Sequence, residues 1–140
     1  MRSYYAAIGA QSSLGVFLLR VMTSIVFIYH GYQKVFVMGL GNVAGFFEKI
    51  NMPLPQVSGP FVGLLELIGG ILLLLGIFTR LLSTLFVIEF IVATFAKWVI
   101  MDKGYAGSEL ELMLLVSCFL LATQGSGRWA LHGSLRLPAE

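Results

Sequence analysis

Charge is what this chain has least of. Asp, Glu, Lys and Arg make up 11% of its 140 residues, against roughly 25% in an average soluble domain. With 58% hydrophobic residues and a mean hydropathy of +0.90, that scarcity excludes a soluble enzyme domain and a disordered tail. No excess of one sign exists either. Nine Lys+Arg stand against seven Asp+Glu, a formal charge of +2, too little for recognition of a phosphate backbone, so nucleic acid is excluded as a partner. One cysteine excludes an intrachain disulfide and a cysteine-pair redox centre. Several patterns are also missing. There is no alternation over segments of about ten residues, as a membrane barrel would show. No A-x-A-like cleavage site follows the first apolar stretch, which contains Arg20, so it reads as a retained helix. No Ser–His–Asp arrangement, phosphate loop or metal-ligand spacing occurs. What is present is long apolar runs and sixteen glycines, the composition of an all-α polytopic membrane protein in contact with the lipid bilayer.

A spanning helix needs about 20 mostly apolar residues. Four segments qualify, at about 14–36, 61–79, 81–101 and 108–123. The reading is a single membrane domain over residues 1–140, a bundle of four transmembrane helices. Helices two and three meet almost without a loop at Gly76–Arg80, and helices three and four at the polar turn Asp102–Gly107. The first connection is longer. Val43–Ile50 has helical apolar spacing and reads as a short amphipathic helix in the interface. Pro53, Pro55 and Pro60 then predict an extended stretch. With four spans both termini share a side. That side holds Arg2, Arg80, Arg128 and Arg136, the other Lys34, Lys49, Lys97 and Lys103. The count is a tie, and the Arg80 hairpin with the Arg-bearing tail favours termini in the cytoplasm. Leu65-Glu66-Leu67 and Leu110-Glu111-Leu112 form a short internal echo, as two hairpins related by an axis along the membrane normal would produce.

Ionisable side chains inside membrane helices cost about 2.5–3.5 kcal/mol each on insertion scales and are functional candidates by default. At 1.5 Å per residue, Arg20 lies about 9 Å and Glu89 about 12 Å from the cytoplasmic face, so they are expected to pair near mid-membrane; the pair could equally serve only to fix helix register. His30, Lys34, Glu66, Lys97, Glu109 and Glu111 fall in the outer half. His30 and Lys34 share one helix face, and with Glu66 they predict a polar cavity open toward the outer side. Gly69 and Gly70, just after Glu66, would admit a neighbouring helix or a flat ligand. Lys97, Glu109 and Glu111 lie near helix ends and are secondary candidates, since they can also snorkel to water. Cys118 reads as an inert small apolar residue. His30 and His132 lie at opposite ends, so one protomer cannot hold a haem between them.

These residues carry a family likeness. His30-Gly31-Tyr32-Gln33-Lys34, preceded by Arg20, resembles the first-helix signature of the DoxX family. Gly45-Phe46-Phe47 with Met52-Pro53-Leu54-Pro55 is similar to its first loop. The stretch from Leu65-Glu66-Leu67-Ile68-Gly69-Gly70 to Thr79-Arg80 resembles its second helix and hairpin. Gly125-Ser126-Gly127-Arg128 is similar to its ending, except that Ala130 and His132 replace the usual Ser and Asp. The fourth-helix acid of the family could match Glu109 or Glu111. The resemblance covers about Leu14 to Leu131 and implies a four-helix membrane bundle linked to membrane oxidoreductase systems, among them the small membrane subunits of thiosulfate:quinone oxidoreductase.

Two functions follow as expectations. The first is a subunit of a redox or respiratory complex in the bacterial cytoplasmic (inner) membrane. It would hold a quinone, with no covalent cofactor, where His30 and Lys34 donate hydrogen bonds and Glu66 relays protons. With no electron carrier of its own it would need partner subunits. The alternative is a non-catalytic structural or assembly subunit of a larger membrane complex. Self-association into a homo-oligomer is compatible with either.

Overall fold

The computed structural model describes the backbone of residues 2–131 and the side chains of residues 13–131. The expectations placed on His132, Arg136 and the Arg2 side chain lie outside the described residues. Among the described residues every regular element is a helix.

The first run begins earlier than its apolar stretch. Helix α1 (Arg2–Tyr32) continues through a π-helical turn, Gln33–Gly39, into α2 (Leu40–Lys49). Gly39 ends the π turn, with φ +82°, a conformation that glycine alone enters freely. Residues of the stretch expected at 43–50 are helical, as α2, and continue directly from the first run.

The predicted extended stretch is instead helical. Helix α3 (Pro55–Leu64), a π turn (Leu65–Gly69) and α4 (Gly70–Leu75) make one second membrane run. Pro55 sits in the first turn, where its fixed φ suits a helix and its missing N–H would be unpaired anyway. Pro60 costs one internal hydrogen bond, which membrane helices tolerate where neighbours are close. The neighbour is α2, since a Cβ on Gly59 would lie 2.9 Å from the Ala44 Cα. The second span therefore starts at Pro55, six residues earlier than Phe61.

The tight hairpin is present. Gly76 N–H donates to the Leu73 carbonyl (3.0 Å) and Ile77 N–H to the Leu72 carbonyl (2.9 Å). Gly76 has φ +73°, as this helix-ending pattern requires. Helix α5 (Thr79–Phe95) follows at once and ends in a third π turn, Ala96–Ile100. After the turn to Ser108 comes α6 (Glu109–Gln124), packed along α5.

Three runs among the described residues are long and apolar enough to cross a membrane: Ser13–Lys49, Pro55–Leu75 and Thr79–Ile100. Helix α6 occupies the place expected for the fourth, but its 16 residues reach about 24 Å at 1.5 Å per residue, short of a core of about 30 Å.

The helices are inside-out by the standard of a soluble protein. Along α1 and the π turn after it, Leu14, Leu18, Met22, Ile25, Tyr29, Tyr32 and Phe36 are exposed in one stripe at helical spacing, while Arg20, Thr23 and Ser24 are buried with Phe27. Such a stripe suits lipid, and in water would be an aggregation surface. The core joins Phe27 to Leu73, Leu82, Phe86, Phe90, Leu114, Cys118 and Leu121. The Phe27 and Phe86 rings stack at 3.9 Å between centroids.

Candidate functional site

One cavity of about 410 Å³ opens between α1, the second run, α5 and α6, and is partly roofed by α2 and α3. Most of its wall is apolar, with Phe27, Phe46, Phe47, Phe61 and Phe90 prominent. Its ionisable groups are His30, Lys34, Glu66, Glu89, Lys97 and Glu111.

Four of these groups form two ion pairs, and Glu89 and His30 complete the set. The Lys34 ammonium contacts the Glu66 carboxylate, and Glu66 is only 3% exposed. The Lys97 ammonium lies 2.6 Å from the Glu111 carboxylate. Glu89 faces Glu66 within hydrogen-bonding reach, close enough to feel the Lys34 charge, and its Oε2 is buried with no partner among the described residues. His30 lines the same space, with its ring edge-on to Tyr29.

Local backbone chemistry explains the meeting of Lys34 and Glu66. A Cβ on Gly31 would fall 2.3 Å from the Leu67 backbone nitrogen. Only glycine allows α1 and the second run to touch there, one turn before Lys34. The π turns matter as well. Lys34 lies in Gln33–Gly39, Glu66 in Leu65–Gly69 and Lys97 in Ala96–Ile100. A π turn inserts one extra residue and rotates the side chains that follow, and such turns recur at functional sites.

Several sequence expectations are corrected here. Arg20 and Glu89 do not pair. Arg20 donates to the backbone carbonyls of Ser126 and Trp129 and stands beside Gly76 at the hairpin end. Glu89, ten residues into α5 from Thr79, lies about 15 Å farther along the axis at helical rise. Gly69 and Gly70 are not cavity walls. A Cβ on Gly69 would meet the Phe86 ring, and one on Gly70 would meet Phe27 and Ile28 at 3.0 Å, so both glycines serve helix packing. Of the two candidate acids on α6, Glu111 reaches the cavity, whereas Glu109 is exposed. Lys97 and Glu111 face each other across the cavity instead of snorkelling apart.

Other parts of the site carried weak or no sequence signal. Phe61 enters the wall because α3 is a helix, which the prolines concealed, and Phe46 and Phe47 enter it from α2, which packs against α3. The second ion pair was foreshadowed by the Leu-Glu-Leu echo, since Glu66 and Glu111 each pair with a lysine on the preceding run. The echo extends further. Phe27 precedes Lys34 by the same interval as Phe90 precedes Lys97, and the two rings stack at 5.6 Å. Glu89 has no counterpart, for Val26 holds the equivalent position on α1.

Comparison with known proteins agrees with this architecture. The DoxX family description matches residues 15–98. The chain is 34% identical over 114 residues to "Putative oxidoreductase CatD" of Bacillus subtilis (strain 168), covering 81% of each protein. It is 27% identical over 139 residues to "Uncharacterized membrane protein Rv3486" of Mycobacterium tuberculosis, covering 90% of this chain and 84% of that protein. Over 83 residues it is 28% identical to "Inner membrane protein YphA" of Escherichia coli (strain K12), covering 59% of this chain and 58% of that one. No solved structure matches. The match spans the helices that build the cavity from Lys34 to Lys97, and this integral membrane protein belongs to the DoxX family.

Proposed function

We infer that the chain is the membrane subunit of a quinone-linked redox system and that its cavity is the quinone site. The observation that carries this reading is the convergence of three π turns, each placing one member of an ion pair on the wall of a single aromatic-rich cavity. The residues fit such a ligand. Flat apolar walls from Phe46, Phe47 and Phe61 suit a ring, and Lys34 and His30 supply donors for its carbonyl oxygens. Glu89, with one buried oxygen unpartnered, is placed to accept or return a proton. When bound, a quinone supplies the capacity to take up two electrons and two protons. The chain has one cysteine, so electrons would arrive from a partner subunit. The name of the Bacillus subtilis relative is consistent with a redox setting.

The same reading makes α6 the fourth crossing and sets α2 at the membrane interface. Both termini are then in the cytoplasm, and the membrane is the bacterial inner membrane. The test is to purify the protein in mild detergent and measure quinone in its lipid extract. Bound quinone that falls with His30→Ala and Glu66→Gln supports the reading, and quinone absent from the wild-type protein rejects it.

A second reading is a structural or assembly subunit. Its support is that Lys34 and Lys97 each already hold an opposite charge, Glu66 and Glu111, as charges that only fix register would. Pull-down in mild detergent separates the two. A stoichiometric partner set unchanged by charge-neutralising substitutions, without quinone, favours the structural role.

A further inference from the structure

At the end of the bundle opposite the cavity, a second pocket of about 260 Å³ forms where the α4–α5 hairpin meets the chain after α6. Thr79, Arg80, Gly125 and Ser126 contribute to its wall. Arg20 stands directly behind that wall. It is fully buried, donates to the carbonyl of Ser126 and, at 3.0 Å, to that of Trp129, and its Nε has no partner. No carboxylate among the described residues pairs with Arg20 or with Arg80. The described acids all sit on α2, around the cavity or near the α5–α6 turn. A buried guanidinium without a counter-ion is expensive, and dipoles of backbone carbonyls offset only part of the cost.

Three further features of this pocket favour negative charge. It lies at the N-terminus of α5, a helix of 17 residues whose first N–H groups have no partner within the helix and carry the positive end of its dipole. Thr79 is 4% exposed, and its hydroxyl is buried without a hydrogen-bond partner. Arg80 is exposed and adds a second guanidinium at the pocket's edge. The volume is below the roughly 300–1,000 Å³ of pockets that enclose a drug-sized molecule, so the space suits a small anionic group.

We propose that this pocket binds a phosphate-type oxyanion, either the headgroup of an anionic membrane lipid or a free phosphate. The site is independent of the cavity and of the redox reading. The planar fork of Arg80 matches a phosphate, the α5 N-terminus donates to its oxygens, and the anion neutralises the charge of Arg20 through the Ser126 wall.

The experiment titrates the full chain in non-ionic detergent with phosphatidylglycerol, with inorganic phosphate and with diacylglycerol. Adducts are counted by native mass spectrometry and thermal stability is followed. One phosphatidylglycerol is expected to bind and stabilise where diacylglycerol does not. Arg80→Gln should weaken it roughly tenfold, the size of one lost charge-assisted bond, and Thr79→Val by a smaller factor. Arg128→Gln removes the same charge from a residue that faces the Trp129 ring and should change binding less than about twofold. Stabilisation by inorganic phosphate alone, lost in Arg80→Gln, identifies a soluble anion at the same site. Equal binding of phosphatidylglycerol and diacylglycerol with no effect of phosphate, or equal weakening by Arg80→Gln and Arg128→Gln, overturns the proposal.

Discussion

Lys97 contacts Glu111 at 2.6 Å in the same way that Lys34 contacts Glu66 one hairpin earlier. Each lysine lies in a π turn, and each glutamate lies in a Leu-Glu-Leu segment on the helical run that follows. The two pairs share one cavity, and Glu89 is the acid that breaks the repeat.

Removing one partner of such a pair strands the other charge. Breaking a fully buried pair costs roughly 3–5 kcal/mol. Lys34 keeps 24% side-chain exposure, so Glu66→Gln should cost less, about 2–3 kcal/mol. The double change Lys34→Met with Glu66→Leu should recover most of the loss. Reversible unfolding in mixed micelles measures this cycle, and a double variant no more stable than Glu66→Gln counts against a coupled pair.

Gly31→Ala should separate α1 from the second run. Its new Cβ has 2.3 Å to the Leu67 nitrogen, so backbone must move at a cost of about 1–3 kcal/mol or more. Gly41→Ala meets nothing within 4 Å and should be neutral or slightly stabilising. Thermal unfolding of the two variants side by side checks the contrast.

The architecture was largely legible in the sequence, because scarcity of charge and the length of apolar runs are direct consequences of the lipid solvent. The hairpin was legible for the same reason that it forms: Gly76 can take the conformation that ends a helix. The helix from Pro55 was not, because a proline-rich segment reads as extended unless one knows that Pro55 falls in a first turn and that Ala44 packs against Gly59. His30, Lys34 and Glu66 were recognisable by their cost inside lipid. Their arrangement with Lys97 and Glu111 was not, because depth along an axis says little about the azimuth of a side chain, and π turns change that azimuth by amounts sequence spacing does not encode. The Arg20–Glu89 expectation failed for a related reason. Their expected depths from one end of the bundle are similar, but Arg20 reaches back to the loop at Ser126–Trp129.

That loop gives a third prediction. Arg20→Met removes its hydrogen bonds to Ser126 and Trp129, so residues 125–129 should exchange amide hydrogens faster, while Glu89→Gln should leave them unchanged. The stabilities of the two single variants should add within about 0.5 kcal/mol. Strong coupling between them would restore the pairing that the geometry denies.

Glu89→Gln is also expected to act at the cavity. It removes an acid whose Oε2 has no partner, so it should perturb stability less than Glu66→Gln while slowing any quinone-linked proton uptake. A stability loss as large as that of Glu66→Gln would mark Glu89 as a structural residue. The readout is unfolding beside quinone reduction in the reconstituted system.

The most direct measurement is photo-crosslinking of the wild-type protein with an azido-quinone in native membranes, with the labelled peptides mapped by mass spectrometry. Labels are expected on cavity residues, Phe46, Phe47, Met52 and Phe61 foremost, displaced by excess unlabelled quinone and lost in Glu66→Gln. Labels confined to the lipid-facing stripe of Leu18, Met22 and Ile25, indifferent to competition, would contradict it.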